Sequence, residues 1–133
     1  MTSLDRLVVE SSVFLACCLG ENRRERLESV LIGRTQLLMS SPTRLEIGIV
    51  ALNRKIQLKV DEALQSYQIL VEPFTYAHTG MAITAFTKYG KGRHPATLNF
   101  IDCCAYALTK PLNLPLLYKG NDFAQTDIAS ALA

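Results

Sequence analysis

Four acidic residues stand where a parallel β-sheet would gather the ligands of a binding site. Glu10 ends the short apolar run at residues 7–9, and Asp122 follows the apolar run PLLY. Glu46 lies early in the helical segment after the second predicted strand, and Asp102 lies in the first turn of a later helix. Open parallel sheets bind ligands beyond the carboxyl ends of their strands. We therefore expect four acids from four segments to converge on one edge of the sheet.

Packed carboxylates raise one another's pKa, and such a cluster stays ionised chiefly by binding a divalent cation. Oxygen ligands suit Mg²⁺ or Mn²⁺, which characteristically also hold substrate phosphates. The pattern therefore favours a site for a divalent cation of the kind that also holds phosphate groups. In the alternative interpretation, each acid caps a helix or faces water, and the spacing alone leaves this open, most of all for Asp102 and Asp122.

Apolar strands alternate with helical segments along the chain, which indicates a parallel sheet covered by helices on both faces. The strands are predicted at residues 7–10, 35–40, 69–74 and 115–118, and the helices at about 11–19, 22–32, 41–54, 57–67, 76–89 and 99–110. We expect Ser11 or Ser12 to cap the first helix and Ser41 to cap the third, because a serine oxygen accepts an orphan amide hydrogen bond. Gly90 is expected to close the fifth helix in a left-handed conformation.

Composition limits the class of protein. The chain has 133 residues, of which 49% are hydrophobic and 20% charged, so it suits one domain, residues 1–133, with a sizeable core. Its formal charge of +2 is too weak to indicate nucleic acid binding by itself. The cysteine pairs at 17–18 and 103–104 lack zinc-site spacing and are interpreted as reduced core residues. No signal peptide or membrane span is recognisable, so we expect a cytoplasmic protein.

The stretch YGKGRHPATLNFIDCCAYALTK, followed by PLLYKGNDFAQTDI, resembles the carboxyl-terminal half of VapC-type toxins. These are the PIN-domain ribonucleases of toxin–antitoxin systems, and they typically carry YGKGRHPAxLNxGDCxAYALA and then KGxDFxxTDI. The resemblance extends back through SSPTRLEIGIV, where the family has a helix bearing a glutamate, to ESSVFLA, where it has DSSALLA or similar. It covers almost the whole chain. It implies an α/β fold, a three-layer α/β/α sandwich with a central, mostly parallel sheet, that hydrolyses RNA phosphodiester bonds with Mg²⁺ or Mn²⁺.

Carried over by position, the resemblance implies that the catalytic metal ligands are Glu10, Glu46, Asp102 and Asp122. It further implies supporting roles for the hydroxyls of Ser12 and Thr126 and an accessory role for the acid Asp127. By the same analogy, the partners are a VapB-type antitoxin, which places a basic side chain near the acids, and a second copy of the chain in a homodimer.

The first acid departs from the family pattern. The family has aspartate where Glu10 stands, and the extra methylene displaces the carboxylate by about one carbon–carbon bond. We therefore expect a site that binds metal but cleaves weakly. Asn121, where many relatives have a second aspartate before Asp122, is a smaller departure.

The glycine-flanked loop KGRHPATL is predicted to bind RNA phosphates through Lys91, Arg93 and His94. An ordinary solvated turn is the alternative. The GKG sequence is not a phosphate-binding P-loop, because no lysine-serine or lysine-threonine pair ends it. With only two histidines and no paired base pattern, metal-free ribonuclease chemistry is disfavoured.

Three other functions stay open. A PIN fold without nuclease activity would bind metal but not cleave RNA, acting as an RNA-binding or antitoxin-binding module. A flap-type DNA nuclease would use the same acids and would prefer DNA in a cleavage assay. A small-molecule phosphohydrolase is disfavoured, because no DxD motif follows the first strand.

Overall fold

The structure, a computed structural model, describes residues 6–21, 24–34 and 36–132. Strands and helices alternate in the predicted order. The strands are β1 (Arg6–Val9), β2 (Gln36–Ser40), β3 (Ile69–Glu72) and β4 (Leu116–Leu117). The helices are α1 (Ser11–Leu19), α2 (Arg24–Ile32), α3 (Ser41–Arg54), α4 (Gln57–Ser66), α5 (Tyr76–Tyr89) and α6 (Phe100–Leu112), followed by a 3₁₀ helix (Phe123–Gln125). The predicted starts of a helix at residue 22 and of a strand at residue 35 lie outside the described residues.

The four strands form one parallel sheet in the order β3-β2-β1-β4. Val8 of the central strand is in register with Leu38 on one side and with Leu116 on the other. Because the strands are parallel, their carboxyl ends meet at one edge of the sheet. β1 is therefore flanked on both sides where it ends, and Glu10 follows it directly.

Helices cover both faces of the sheet, as the three-layer sandwich predicts. Val8 and Leu38 point to one face, where α5 and α6 pack, and their neighbours Leu7 and Met39 point to the other. α1, α2, α3 and α4 supply the side chains of the second layer, which include Phe14, Leu31, Ile47 and Val60. Successive strand residues alternate between faces, so burial on both sides explains the uninterrupted apolar runs.

The cysteines contribute to these layers as thiols. Cys103 and Cys104 are buried in α6, whereas Cys17 and Cys18 are half-buried near the end of α1, and all four are free. Burial, the largest effect, raises the pKa of Cys17 to about 11.

Among the described residues no helix has the length and apolar character needed to cross a membrane.

Two predicted serine caps are wrong. The N-cap of α1 is Glu10, whose side chain reaches back to accept hydrogen bonds from the amides of Ser12 and Val13, while Ser11 is already helical. α3 likewise begins at Ser41, one residue earlier than a Ser41 cap requires. The Ser41 hydroxyl instead accepts a hydrogen bond from the Phe74 amide at 3.0 Å, which ties the loop after β3 to α3. At α1 the longer side chain of Glu10 caps the helix in place of a serine. At α3 the Ser41 hydroxyl is instead bonded to a partner from another segment, the Phe74 amide.

The predicted left-handed conformation of Gly90 is also wrong. Gly90 is extended, with φ −68° and ψ 157°, and its amide donates to the Phe86 carbonyl. A Cβ at this position would lie 2.4 Å from the Phe86 carbonyl oxygen and 2.7 Å from a ring carbon of Phe86. Glycine is required here because the chain turns tightly against the last turn of α5, not because of a positive φ.

Gly90→Ala should therefore lower the free energy of unfolding by about 1–3 kcal/mol, since the added methyl group forces the Phe86 ring or the loop to move. Gly80→Ala is the matched control. No atom lies within 4 Å of a Cβ at this exposed helical position, so alanine should be neutral or stabilise by about 0.5–1 kcal/mol. Urea denaturation followed by circular dichroism measures both. Equal stabilities for the two variants would contradict the close approach at Gly90.

Candidate active site

The structure brings the four predicted acids to one edge of the sheet. Glu10 follows β1, and its amide donates to the Leu117 carbonyl at 3.1 Å, which fixes it between β1 and β4. Glu46 lies on α3, the helix that directly follows β2. Asp102 is the third residue of α6, and Asp122 precedes the 3₁₀ helix. Burial raises the pKa of Asp102, and the charges of Glu10, Asp122 and Glu46 raise it further. Asp102 therefore lies within electrostatic range of the other three acids.

Glu10 is the most enclosed of these acids. Its Oε1 accepts hydrogen bonds from the Ser12 amide at 3.0 Å, from the Val13 amide at 3.4 Å and from the Ser12 hydroxyl, and its Oε2 accepts from the Ser11 hydroxyl. Burial, the largest effect, raises the pKa of Glu10, and these hydrogen bonds offset part of the rise. A carboxylate can interrupt the apolar run because the first turn of α1 satisfies it. The Ser12 hydroxyl thus holds the Glu10 carboxylate.

Asp102 forms a capping box with Asn99 at the start of α6. The Asn99 amide donates to Asp102 Oδ2 at 3.0 Å, and the Asp102 amide donates to Asn99 Oδ1 at 2.9 Å. Burial, the largest effect, raises the pKa of Asp102 to about 6; the Asn99 amide lowers it, and the neighbouring acids raise it further. Oδ1 of Asp102 keeps no partner among the described residues.

Asp122 is tied to the loop that precedes α6. The hydroxyl of Thr97, a residue with φ +53°, donates to Asp122 Oδ1 at 3.3 Å. Thr97 is a contact that sequence reasoning missed, and only the path of the loop reveals it.

Thr126 does not bond to an acid of the described residues through its hydroxyl. Its hydroxyl donates to the Phe123 carbonyl at 2.7 Å and accepts from the Ile128 amide, so it shapes the turn that follows Asp122.

Asp127 contacts two residues of α6. Its carboxylate forms an ion pair with Lys110 at 3.1 Å and accepts a hydrogen bond from the Tyr106 hydroxyl at 2.7 Å. Burial alone would raise the pKa of Asp127, but these hydrogen bonds outweigh it, so the pKa is lowered. Tyr106 and Lys110 lie one and two turns further along α6 than Asp102. In this structure Asp127 therefore fastens the carboxyl-terminal segment to α6.

The loop between α5 and α6 exposes only part of its predicted phosphate-binding set. Lys91 and Arg93 are exposed, with the Arg93 guanidinium 5.9 Å from the centre of the Phe86 ring. His94 is half-buried, its Nδ1 accepts a hydrogen bond from the Ala96 amide, and its ring packs edge-on against Tyr89. Lys91 and Arg93 thus face solvent freely, whereas His94 mainly maintains the shape of the loop.

The donor chemistry of the cluster suits a hard divalent cation. All four groups are carboxylates, and none of them forms an ion pair with a basic side chain of the described residues. Within residues 6–21, 24–34 and 36–132, no three acidic, histidine or cysteine side chains already stand close enough to hold one ion together. Mg²⁺ commonly keeps several waters and takes only one or two carboxylates directly. The residues present therefore fit a metal bound partly through water.

Comparison with known proteins agrees with this geometry. The PIN domain family matches residues 7–129. Ribonuclease VapC36 of Mycobacterium tuberculosis is 39% identical over 126 residues, covering 92% of this chain and 91% of the relative. Ribonuclease VapC28 of the same species is 34% identical over 130 residues, covering 95% and 98%.

Solved structures share the fold. The Mycobacterium tuberculosis toxin VapC20, whose structure is titled as that of a sarcin-ricin loop cleaving toxin, superposes with a TM-score of 0.74 at 15% identity, covering 92% of this chain and 96% of that one. A chain of a toxin-antitoxin complex from Klebsiella pneumoniae superposes with a TM-score of 0.71 at 16% identity, covering 94% and 97%.

The raised pKa of Asp102 predicts a pH-dependent stability. The folded protein holds the Asp102 proton more tightly than the unfolded chain does, so the free energy of unfolding should fall as pH rises from about 4 to 6. In a chelator, Asp102→Asn should be more stable than the wild type at neutral pH by about 1–2 kcal/mol, after allowance for the partial exposure of the side chain. The two proteins should converge near pH 4. Urea denaturation at several pH values measures this, and a constant difference across the range would contradict it.

Proposed function

Because the chain belongs to the PIN-domain family as a VapC-type toxin, we propose that it is the toxin of a VapBC-type toxin–antitoxin system and a divalent-metal-dependent endoribonuclease. Relatives named as ribonucleases align with it over more than nine-tenths of their length. The observation that carries the proposal is the set of acids around Asp102 at the carboxyl edge of the sheet, none of which pairs with a basic side chain in the part of the chain that the structure describes. Such a cluster is suited to bind a metal and, through it, a phosphodiester.

The proposed ligands of Mg²⁺ or Mn²⁺ are Glu10, Glu46, Asp102 and Asp122, acting directly or through water. When bound, the metal activates water and stabilises the charge that develops on the phosphodiester. The chain itself supplies orientation. The Ser12 hydroxyl and the first amides of α1 fix the Glu10 carboxylate, the Asn99 amide holds Oδ2 of Asp102, and Thr97 holds Oδ1 of Asp122. Among the described residues, Oδ1 of Asp102 and Oδ2 of Asp122 accept no hydrogen bond and are left for the metal or for water, whereas both oxygens of Glu10 accept hydrogen bonds from the first turn of α1.

We propose that the loop between α5 and α6 contacts RNA phosphates. Lys91 and Arg93 are exposed there, and His94, half-buried with Nδ1 bonded to the Ala96 amide, is the third member of the proposed set. The hydrogen bond from Thr97 to Asp122 connects this loop to the acidic cluster, which supports a path for RNA from the loop to the site.

The proposed partners are a VapB-type antitoxin and a second copy of the chain. Two apolar surfaces support them. One is a face of α3 on which Leu45, Ile49 and Leu52 are 63%, 52% and 63% exposed. The other is a groove of about 540 Å³ between α5 and α6, lined by Phe74, Ile83, Phe86 and Phe100 among others. Exposed apolar surface of this kind marks protein interaction sites.

The four free thiols agree with the cytoplasmic location that we propose.

Asp102→Asn, Glu46→Gln and Asp122→Asn should each abolish Mn²⁺-dependent RNA cleavage without unfolding the protein. Each change removes a ligand charge and preserves shape, and double variants should lose little more than single ones, because the residues act as one unit. Cleavage of structured RNAs by antitoxin-free protein, with Mn²⁺ and with a chelator, measures the loss, and DNA of the same sequence tests for a DNA nuclease. Asp127→Asn is the control and should retain activity. Near wild-type cleavage by Asp102→Asn would remove it from the site.

Glu10 decides between a weak nuclease and a PIN fold without nuclease activity. Its extra methylene displaces the carboxylate from the position of the family's aspartate, and displacement by ~1 Å can cost on the order of 100-fold in rate. Glu10→Asp should therefore raise single-turnover RNA cleavage by at least about tenfold. Glu10→Gln should lower Mn²⁺ affinity. Unchanged or slower cleavage by Glu10→Asp would show that the site has adapted to glutamate.

A further inference from the structure

A basic cleft lies beside the segment that carries Asp122. It has a volume of about 410 Å³ and lies between α2 and the segment that follows β4. Its lining includes Arg26, Leu27, Tyr118, Lys119, Gly120 and Ala124. We call it the α2 cleft. It supplies two cationic side chains that the proposed catalytic site does not use.

The segment that lines the α2 cleft also carries Asp122. Lys119 comes two residues after Leu117, whose carbonyl accepts the hydrogen bond from the Glu10 amide. Gly120 and Ala124 flank Asp122 on either side in sequence. Gly120 has φ +79°, so glycine allows the turn that carries the chain from the cleft to the acid. A strand of RNA at the acids would therefore have its neighbouring backbone beside this cleft.

The two cations of the cleft have unused capacity for an anion. Arg26 donates one hydrogen bond, from Nη2 to the Leu132 carbonyl at 3.3 Å, and a guanidinium carries five N–H donors. Lys119 forms an ion pair with Glu21, whose Oε1 lies 3.0 Å from its Nζ. Both side chains of that pair are exposed. An exposed pair of this kind is weak, so a phosphate can compete for the lysine.

We propose that the α2 cleft binds a backbone phosphate of the RNA strand next to the scissile phosphate, through Lys119 and Arg26, and that Glu21 opposes this binding. The inference rests on the proposed ribonuclease function and adds a phosphate subsite to it. Phosphate contacts from lysine and arginine position the strand without reading its sequence. Tyr118 packs its ring against Phe123, so the cleft offers charge and not a stacking surface for a base.

The test measures RNA affinity in Asp102→Asn protein, which is used to prevent cleavage. The probe is a fluorescein-labelled single-stranded RNA of mixed sequence, followed by anisotropy at several salt concentrations. Lys119→Gln and Arg26→Gln should each weaken binding by about threefold to fivefold and reduce the salt slope by about 0.7, as expected for one lost phosphate contact on a single strand. Glutamine at position 26 keeps an N–H donor for the Leu132 carbonyl, so the fold is preserved.

Two further variants separate this effect from general damage. Glu21→Gln should tighten binding by about twofold to threefold, because it frees Lys119 and removes a negative charge from the cleft. Lys59→Gln is the matched control, because it removes the same charge from another part of the surface. Lys59 lies on α4, beside the half-buried thiols of Cys17 and Cys18 near the end of α1. This variant should leave the affinity for RNA unchanged. Opposite signs for positions 21 and 119 are not expected from unfolding.

Cleavage distinguishes failure of this inference from failure of the proposed function. In otherwise wild-type protein with Mn²⁺, Lys119→Gln should raise KM with little change in kcat, since the lost contact is made equally in the ground and transition states. If the wild type cleaves RNA while the variants at 26 and 119 bind it as tightly as their parent, the inference is overturned and the ribonuclease function stands. If the wild type neither binds nor cleaves RNA with Mn²⁺, both are overturned.

Discussion

The Glu10 carboxylate is buried at the junction of β1 and α1, and the site depends on the hydrogen bonds that hold it there. The amides of the first turn of α1 and the hydroxyls of Ser11 and Ser12 all donate to it. A buried carboxylate without such donors would be strongly unfavourable. Since β1 is an inner strand, flanked by β2 and β4, this one interaction sets the position of a negative charge against which the other three acids are placed. The helix start and the proposed metal ligand are therefore the same feature.

Much of the fold follows from patterns that are local in the chain. The apolar runs at 7–9 and 37–39 and the helical spacing of 76–89 predict strands and helices that the structure contains. The convergence of the acids could be anticipated too, because it requires only that parallel strands end at one edge. The roles of Ser41 and Gly90 could not. Ser41 bonds to Phe74, more than thirty residues away, and Gly90 is fixed by the Phe86 ring, so neither role is encoded by spacing alone.

The same distinction holds within the site. The proposed ligands are recognisable by residue type and position, but the groups that orient them depend on the path of a loop. Thr97 reaches Asp122 only because the loop between α5 and α6 folds back, and the same fold turns His94 inward against Tyr89. Asp127 matches a family motif by position, and its ion pair with Lys110 could not be read from that motif.

The modest net charge of the chain conceals a marked separation of charge. Acids without basic partners among the described residues occupy the carboxyl edge of the sheet. Exposed cations stand in two other places, with Lys91 and Arg93 in the loop between α5 and α6 and Arg26 and Lys119 in the α2 cleft. The exposed basic side chains attract a polyanion, whereas the acids at the edge of the sheet attract a cation. The formal charge of +2 gives no indication of this arrangement.

The raised pKa of Asp102 makes cation uptake an exchange reaction. Below about pH 6 the Asp102 carboxyl carries a proton, and a metal that ligates it must release that proton to solvent. Each unit of acidification in that range then lowers the apparent affinity for the cation by about tenfold for each proton released. Occupancy of the proposed metal centre would thus depend on pH as well as on the supply of metal, and acidification would empty that centre while the protein is still folded.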